Sequence, residues 1–385
     1  MPDPDQDFAA NPVELFFDLA FVFAFAQLVG ALVADPTLSG VAESALLFLM
    51  LWLPWIQFTW SANATSGNSR PVQLVFLVAT AASVPMAASI STAFGPGGPA
   101  FALSLVVIYA MGLVLLVLGY DDDSSEFGSA VRYALPNTVS IALLAAGGLT
   151  DTPLRTGLWI AGLLVFVLST LRAGRGEWVV RPGHFAERHG LIIIVALGEV
   201  IVAIATPVLS GLEEGVGLSG EVLASLSAAG VFAGLLWFGY FDRPQKSFEF
   251  RTASLPRSER GRFVRDVYTY IHALITAGIV LAAAALEEIT LHPGDQLHSE
   301  YRWMLFAGLT LYLGGIDLAV LRAFRRFAWE RYAAAVVVAA LVLPPLDVSG
   351  LTLLVAVDIT LFVMLVAEHL RLEREATASL ASPST

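Results

Sequence analysis

Twelve apolar stretches recur along the chain, each bounded by glycine, proline or charged positions. Most run for about twenty residues, the length an α-helix needs to cross the hydrocarbon core of a bilayer. In the first half they fall at Val13–Ala34, Val41–Trp60, Pro71–Phe94, Pro99–Tyr120, Ala130–Leu149 and Leu154–Leu171. In the second half they fall at His189–Leu209, Val222–Phe241, Tyr268–Ile289, Trp303–Leu321, Arg331–Pro344 and Leu351–Glu368. Arg132, Pro136 and Asn137 interrupt the fifth, and the eleventh is short. The pattern predicts an all-α, polytopic transmembrane bundle of about twelve spans.

Composition agrees with the pattern and removes alternatives. Hydrophobic residues make up 57% of the 385 and charged residues 14%, against about 25% charged in a soluble domain. The spans leave only short loops, so residues 1–385 read as a single membrane domain. With no cysteine, disulfides, thiolate nucleophiles, iron–sulfur clusters and cysteine zinc sites are excluded. The acidic start (Asp3, Asp5, Asp7) lacks the basic region of a signal peptide, so the first span is expected in the mature protein.

The basic residues orient the bundle. With the N-terminus cytoplasmic, 19 of the 21 Lys and Arg residues fall in inside segments, and only Arg155 and Arg302 fall outside. That asymmetry is the positive-inside rule at work. It puts both termini in the cytoplasm and Glu213, Glu214, Glu287, Glu288, Asp295 and Glu300 on the outer side.

Two segments resemble the bacterial low-temperature-requirement A family of integral membrane proteins. Val13–Leu28 reads VELFFDLAFVFAFAQL, similar to that family's first-helix pattern, and Glu187–Ile201 reads ERHGLIIIVALGEVI, similar to its E-R-H-G-L…L-G-E segment. The resemblance implies a multi-pass bundle in the cell membrane. Where the family tends to carry charges after the second span, Ser61–Ser69 has none.

The two halves, 1–180 and 181–385, also resemble each other. Glu14 precedes Gln27 by thirteen residues, and Glu187 precedes Glu199 by twelve. The second and eighth spans both end in aromatic clusters. Two parallel six-helix repeats, as in some transporters, are the expectation.

Ionisable groups inside spans cost at least about 2.5–3.5 kcal/mol at a helix centre and so ask for a reason. Glu199 stands out, ten residues into the seventh span, beside Gly198, which is expected to let another backbone approach. It reads as a proton or cation site or as an interhelical structural acid. Arg188 lies three turns earlier on the same face. Glu14 and Asp18, four residues apart, share a face near the cytoplasmic end, where Asp18 can reach Arg188 or His189. Gln27 points about 180° away from Asp18. His272 reads as a proton shuttle or as a buried histidine bonded to a carbonyl. The coupling candidates are therefore Glu199, Asp18, His189 and His272. The gate or charge-pair candidates are Glu14, Arg188, Gln27, Asp242, Asp317 and Asp358.

Missing motifs narrow the chemistry further. There is no phosphate-binding P-loop and no H-E-x-x-H. The single lysine, Lys246, lies in a loop, which excludes a retinal Schiff base within the bundle. The expectation is a proton- or cation-coupled secondary transporter of a small solute, with no cofactor, no metal and no nucleic acid. Its partners are the lipid bilayer and the solute or ion, and the basic loop Arg243–Arg265 can touch anionic lipid. The alternatives are a membrane-embedded enzyme on lipid-linked substrates and a non-catalytic factor for cold or envelope adaptation.

Overall fold

The computed structural model describes residues 10–65, 69–119, 125–173, 178–213 and 217–381. Asp3, Asp5, Asp7, Tyr120 and Glu214 of the sequence analysis lie outside those residues, as does the side chain of Glu213. Every one of the twelve apolar stretches forms a helix, and no strand occurs among the described residues. The first half comprises α1 (Pro12–Ala34), α2 (Leu38–Ala64), α3 (Arg70–Ala88), α4 (Gly98–Leu118), α5 (Ser125–Gly148) and α6 (Leu154–Ala173). The second opens with α7 (Pro182–Glu213) and α8 (Gly220–Phe241), followed by two short helices, α9 (Pro244–Ser254) and α10 (Arg257–Val264). A π-helical turn at Arg265–Ile271 leads into α11 (His272–Leu291), then α12 (Ser299–Phe324), α13 (Trp329–Val342) and α14 (Gly350–Ala381).

Among the described residues ten helical segments are long and apolar enough to cross a membrane. The stretches outside that set are α5, with Glu126 and Arg132 in its first turns, and α13, whose 14 residues span about 21 Å. The charged loop between α8 and α11 is more ordered than its composition suggests. Arg260 donates to the carbonyls of Leu255 and Ala253 and so ties the corner between α9 and α10. Phe248, Leu255, Phe263 and Val264 bury there against Phe185, Tyr268, Ala319 and Ala323.

At the centre, α1, α7 and α11 pack against one another. Within the first half, α1 packs on α2 and α3, α3 on α4, α4 on α5, α5 on α6, and α2 on α6. Within the second, α7 packs on α8 and α11, α11 on α12, α12 on α13, α13 on α14, and α8 on α14. Helices α11 and α12 meet backbone to backbone. A Cβ on Gly278 would sit 2.5 Å from the Gly308 carbonyl oxygen, and one on Gly308 would sit 2.7 Å from that of Gly278. Small residues let helices meet backbone to backbone in lipid, where burial of apolar surface gives no extra drive.

Candidate functional site

The polar centre of the molecule is built where α1 crosses α7. Asn11 caps α1: its side chain accepts from the Val13 amide, and its own N–H donates to Glu14 Oε1 at 3.2 Å. This capping box satisfies two otherwise orphaned donors and fixes the Glu14 carboxylate in place. Glu14 Oε2 then faces two bases on α7, His184 Nε2 at 2.9 Å and Arg188 Nη1 at 2.7 Å. One turn further along α1, Asp18 Oδ1 accepts from Arg188 Nη2 at 2.8 Å and from the Trp55 indole of α2 at 2.8 Å. The Arg188 guanidinium also lies over the Trp55 ring, 5.8 Å from its centroid.

The spacing is the reason the set closes. Glu14 and Asp18 are four apart on α1, and His184 and Arg188 are four apart on α7. Each pair is therefore a column on one helix face, and the columns meet acid to base. Glu14, His184 and Arg188 are fully buried and Asp18 nearly so. Two carboxylates share one guanidinium and one imidazole: the cluster is neutral with His184 protonated and carries one net negative charge otherwise.

Beside this clasp runs a line of rings. His189 Nδ1 donates to the Phe185 carbonyl at 2.8 Å, and its Nε2 is buried with no hydrogen-bond partner. Its ring centroid is 5.1 Å from Trp55, 4.8 Å from Tyr268 and 5.0 Å from His272. His272 Nδ1 donates to the Val267 carbonyl at 2.8 Å, which leaves Nε2 to accept from Tyr240 Oη, also at 2.8 Å. The π turn supplies acceptors to this line. A register of i to i+5 frees carbonyls from ordinary pairing, and Thr269 receives the Trp52 indole at its carbonyl (2.8 Å) and the Trp60 indole at its hydroxyl (3.0 Å).

Glu199 lies apart from the clasp, eleven residues or about 16 Å further along α7. It is 2% exposed, and its Oε2 has no hydrogen-bond partner. The charged group felt most there is Glu287 of α11, another acid. Gly198 is no notch for a neighbouring backbone: a Cβ there meets nothing within 4 Å. That corrects the packing role expected of it, because the glycine faces open space rather than a helix.

The remaining candidates are dispersed. Gln27 is half-buried on α1 and makes no contact with the clasp. Asp242 is exposed at the end of α8, 3.5 Å from Arg243. Asp317 and Asp358 are buried, each with one carboxyl oxygen unpartnered. A second ionic patch joins α13 to α14 through Arg331–Glu368 at 3.0 Å and Glu330–Arg371. Sequence reasoning missed His184, Trp55 and Tyr240 as members of the site. The four-residue step from His184 to Arg188, matching that from Glu14 to Asp18, was the available signal for the first.

A narrow cleft with a free volume of about 40 Å³ opens close by, between α2, α5, α6 and the π turn. Gln57, Trp60, Tyr133, Thr170, Trp178 and Thr269 are among its walls. Both amide atoms of Gln57 are buried without a partner. An unsatisfied buried amide costs about 1–3 kcal/mol.

Many apolar helices of spanning length, with a paired ionic centre sealed between two of them, define a multi-pass helical membrane protein. A sequence profile of the bacterial low temperature requirement A proteins (LtrA) matches residues 9–367, and the chain belongs to that family. It is 30% identical over 322 residues to the protein named Uncharacterized protein RA0937 of Rhizobium meliloti (strain 1021). That match covers 81% of this chain and 76% of the relative. No solved structure matches the chain significantly.

Proposed function

We propose that this protein is a secondary transporter of the cell membrane that moves a small solute coupled to protons or another cation. The observation that carries the reading is the clasp: four ionisable side chains buried at the contact between α1 and α7. Burying charge is expensive even when it is paired, because desolvation offsets most of the Coulomb attraction. Well-packed apolar residues would hold two helices at less cost. A paired cluster that gains or loses one proton, by contrast, has two charge states and so two strengths of helix contact. Glu199, buried and unpaired, is the group with vacant capacity for the coupling ion, and the cleft at Gln57 offers unfilled hydrogen bonds for a solute. With α5 and α13 crossing as well, the spans number twelve and both termini are cytoplasmic.

The repeated packing scheme supports two parallel halves joined at the clasp. Taking the first proline of each helix as origin, Glu14 and His184 both stand two residues beyond it, and Asp18 and Arg188 both stand six beyond it. Equivalent positions of the two halves thus carry opposite charges and pair with one another across the junction. This register places Val29 opposite Glu199, two residues from Gln27. Rocking of one parallel half against the other is a known form of alternating access.

The test is solute-dependent proton uptake into proteoliposomes carrying an imposed pH gradient, with wild type and Glu199→Gln compared over a panel of small solutes. Wild type is expected to couple at least one solute to proton movement, and Glu199→Gln to abolish that coupling. Undiminished coupling in Glu199→Gln removes that residue from the mechanism. Absence of any coupled solute, together with altered lipid composition in a deletion strain, overturns transport in favour of an enzyme on lipid-linked substrates.

A further inference from the structure

Most arginines held inside the bundle have acceptors or carboxylates for most of the guanidinium, although Arg188 Nε and Arg331 Nη1 are left without a partner. Arg155 donates to the carbonyls of Gly147, Thr150, Ala93 and Gly95. Arg302 donates to those of Leu297, Pro344 and Leu346. Arg188 and Arg331 hold carboxylates. One region departs from this economy. Where the α9–α10 corner faces the C-terminal end of α12, a recess of about 690 Å³ is lined by Arg251, Arg262, Arg322 and Arg325, with Glu259 as its one acid.

Three of the four have no counter-charge. Arg322 is engaged, with Asp266 at 3.0 Å and the Phe263 ring beneath it at 5.4 Å. Arg251, Arg262 and Arg325 make no side-chain hydrogen bond or ion pair among the described residues, and Nε of Arg251 is buried without a partner. The positive-inside rule accounts for arginines on this side of the membrane but not for their convergence on one hollow. The carbonyl end of α12 favours cations nearby, which covers Arg322 and Arg325 but not the two from α9 and α10. Backbone geometry adds to the case: Arg325 ends α12 in the left-handed conformation, φ 55°, the only non-glycine residue to do so among those described. That conformation is uncommon for a residue with a Cβ.

We infer that this recess binds a phosphate-bearing anion at the cytoplasmic face, either the headgroup of an anionic phospholipid or a soluble phosphoryl compound. The planar fork of a guanidinium matches two phosphate oxygens at once, and three unpaired forks around one hollow supply more donors than a single carboxylate needs. Phe250, Phe263 and Phe324 line the same recess, and Phe250 is 71% exposed. An apolar rim beside a cationic floor suits the glycerol and acyl region that follows a lipid phosphate. The site is separate from the clasp and does not depend on transport.

The experiment compares full-length purified protein with Arg251→Gln/Arg262→Gln/Arg325→Gln and with Arg70→Gln/Arg132→Gln/Arg374→Gln, which removes the same charge elsewhere on the inner side. Native mass spectrometry counts adducts of phosphatidylglycerol against phosphatidylcholine, while calorimetry in detergent measures binding of inorganic phosphate and glycerol 3-phosphate. The expected result is retained phosphatidylglycerol adducts on wild type and the control, with at least a tenfold loss in the recess variant. The same pattern with the soluble phosphates alone assigns the site to a free phosphoryl compound. Equal losses in both triple variants, or no preference of wild type for any phosphate-bearing anion over phosphatidylcholine, overturn the site. Arg325→Gln alone, expected to lose about threefold, serves if the triple variant does not fold.

Discussion

Helix α7 carries two buried ionic positions that differ in almost every respect but their burial. At Arg188 and His184 each charged group meets a partner, and the partners belong to α1, so the chemistry holds two helices together. At Glu199 a carboxyl oxygen is buried with no donor, and its strongest charged neighbour is another acid. The cluster is paired, with Asp18 Oδ2 and Arg188 Nε left over, and it defines a position of the helices, whereas the Glu199 carboxyl has no basic partner at all.

Four substitutions break or sharpen that contrast, taken from the largest expected loss of stability to the smallest. Arg188→Gln leaves Asp18 with only the Trp55 indole and Glu14 with His184 and the Asn11 amide, and removing one partner of a buried pair costs about 3–5 kcal/mol. Thermal unfolding in detergent is expected to show a large fall in midpoint. The triple variant Glu14→Gln/Asp18→Asn/Arg188→Gln should recover most of it, and a single variant as stable as wild type would show that the clasp is not held by charge. Trp55→Phe keeps an aromatic, though smaller, ring and deletes the donor to Asp18, a bond to a charged group of about 1.5–3 kcal/mol; its midpoint should fall clearly but less.

Tyr240→Phe removes only the hydroxyl that His272 accepts. A neutral bond of this kind contributes about 0.5–1.5 kcal/mol, so the shift in the same assay should be small, and a shift as large as that of Arg188→Gln would place His272 within the clasp's cooperative unit. Glu199→Gln should leave the midpoint unchanged or raise it slightly, since no partner is lost. The expected loss is confined to coupled flux. A variant that unfolds would identify Glu199 as a structural acid and remove the distinction drawn above.

How much of this was legible in the sequence follows from the range of the interactions involved. The ten segments long and apolar enough to cross a membrane are helices because some twenty apolar residues in a row leave the backbone no other way to satisfy its hydrogen bonds in lipid. That Asp18 and Arg188 can meet followed from counting residues and basic loops. Trp55 as the other partner of Asp18 did not, since it comes from a helix whose rotation about its axis is fixed by packing and not by composition. His184 sits before the apolar run of α7 begins, where hydropathy reads loop. The ordered α9–α10 corner was read only as a charged connection, because Arg260 stabilises it through carbonyls that have no signature in the side-chain sequence. Gly198 shows the converse error: a small residue beside an acid was read as a contact, and it faces empty space.

The π turn at Arg265–Ile271 has a mechanical consequence. It contains a spare residue relative to an α-helical register, and each residue of an α-helix is worth about 100° of rotation and 1.5 Å of rise. Taking up that slack would therefore index α11 by a fixed step, like one tooth of a ratchet. His272 would swing off both Val267 and Tyr240, and Trp52 and Trp60 of the first half would release Thr269 in the same movement. The segment that ties the two halves at their inner end is thus also the place where the chain has a length to give.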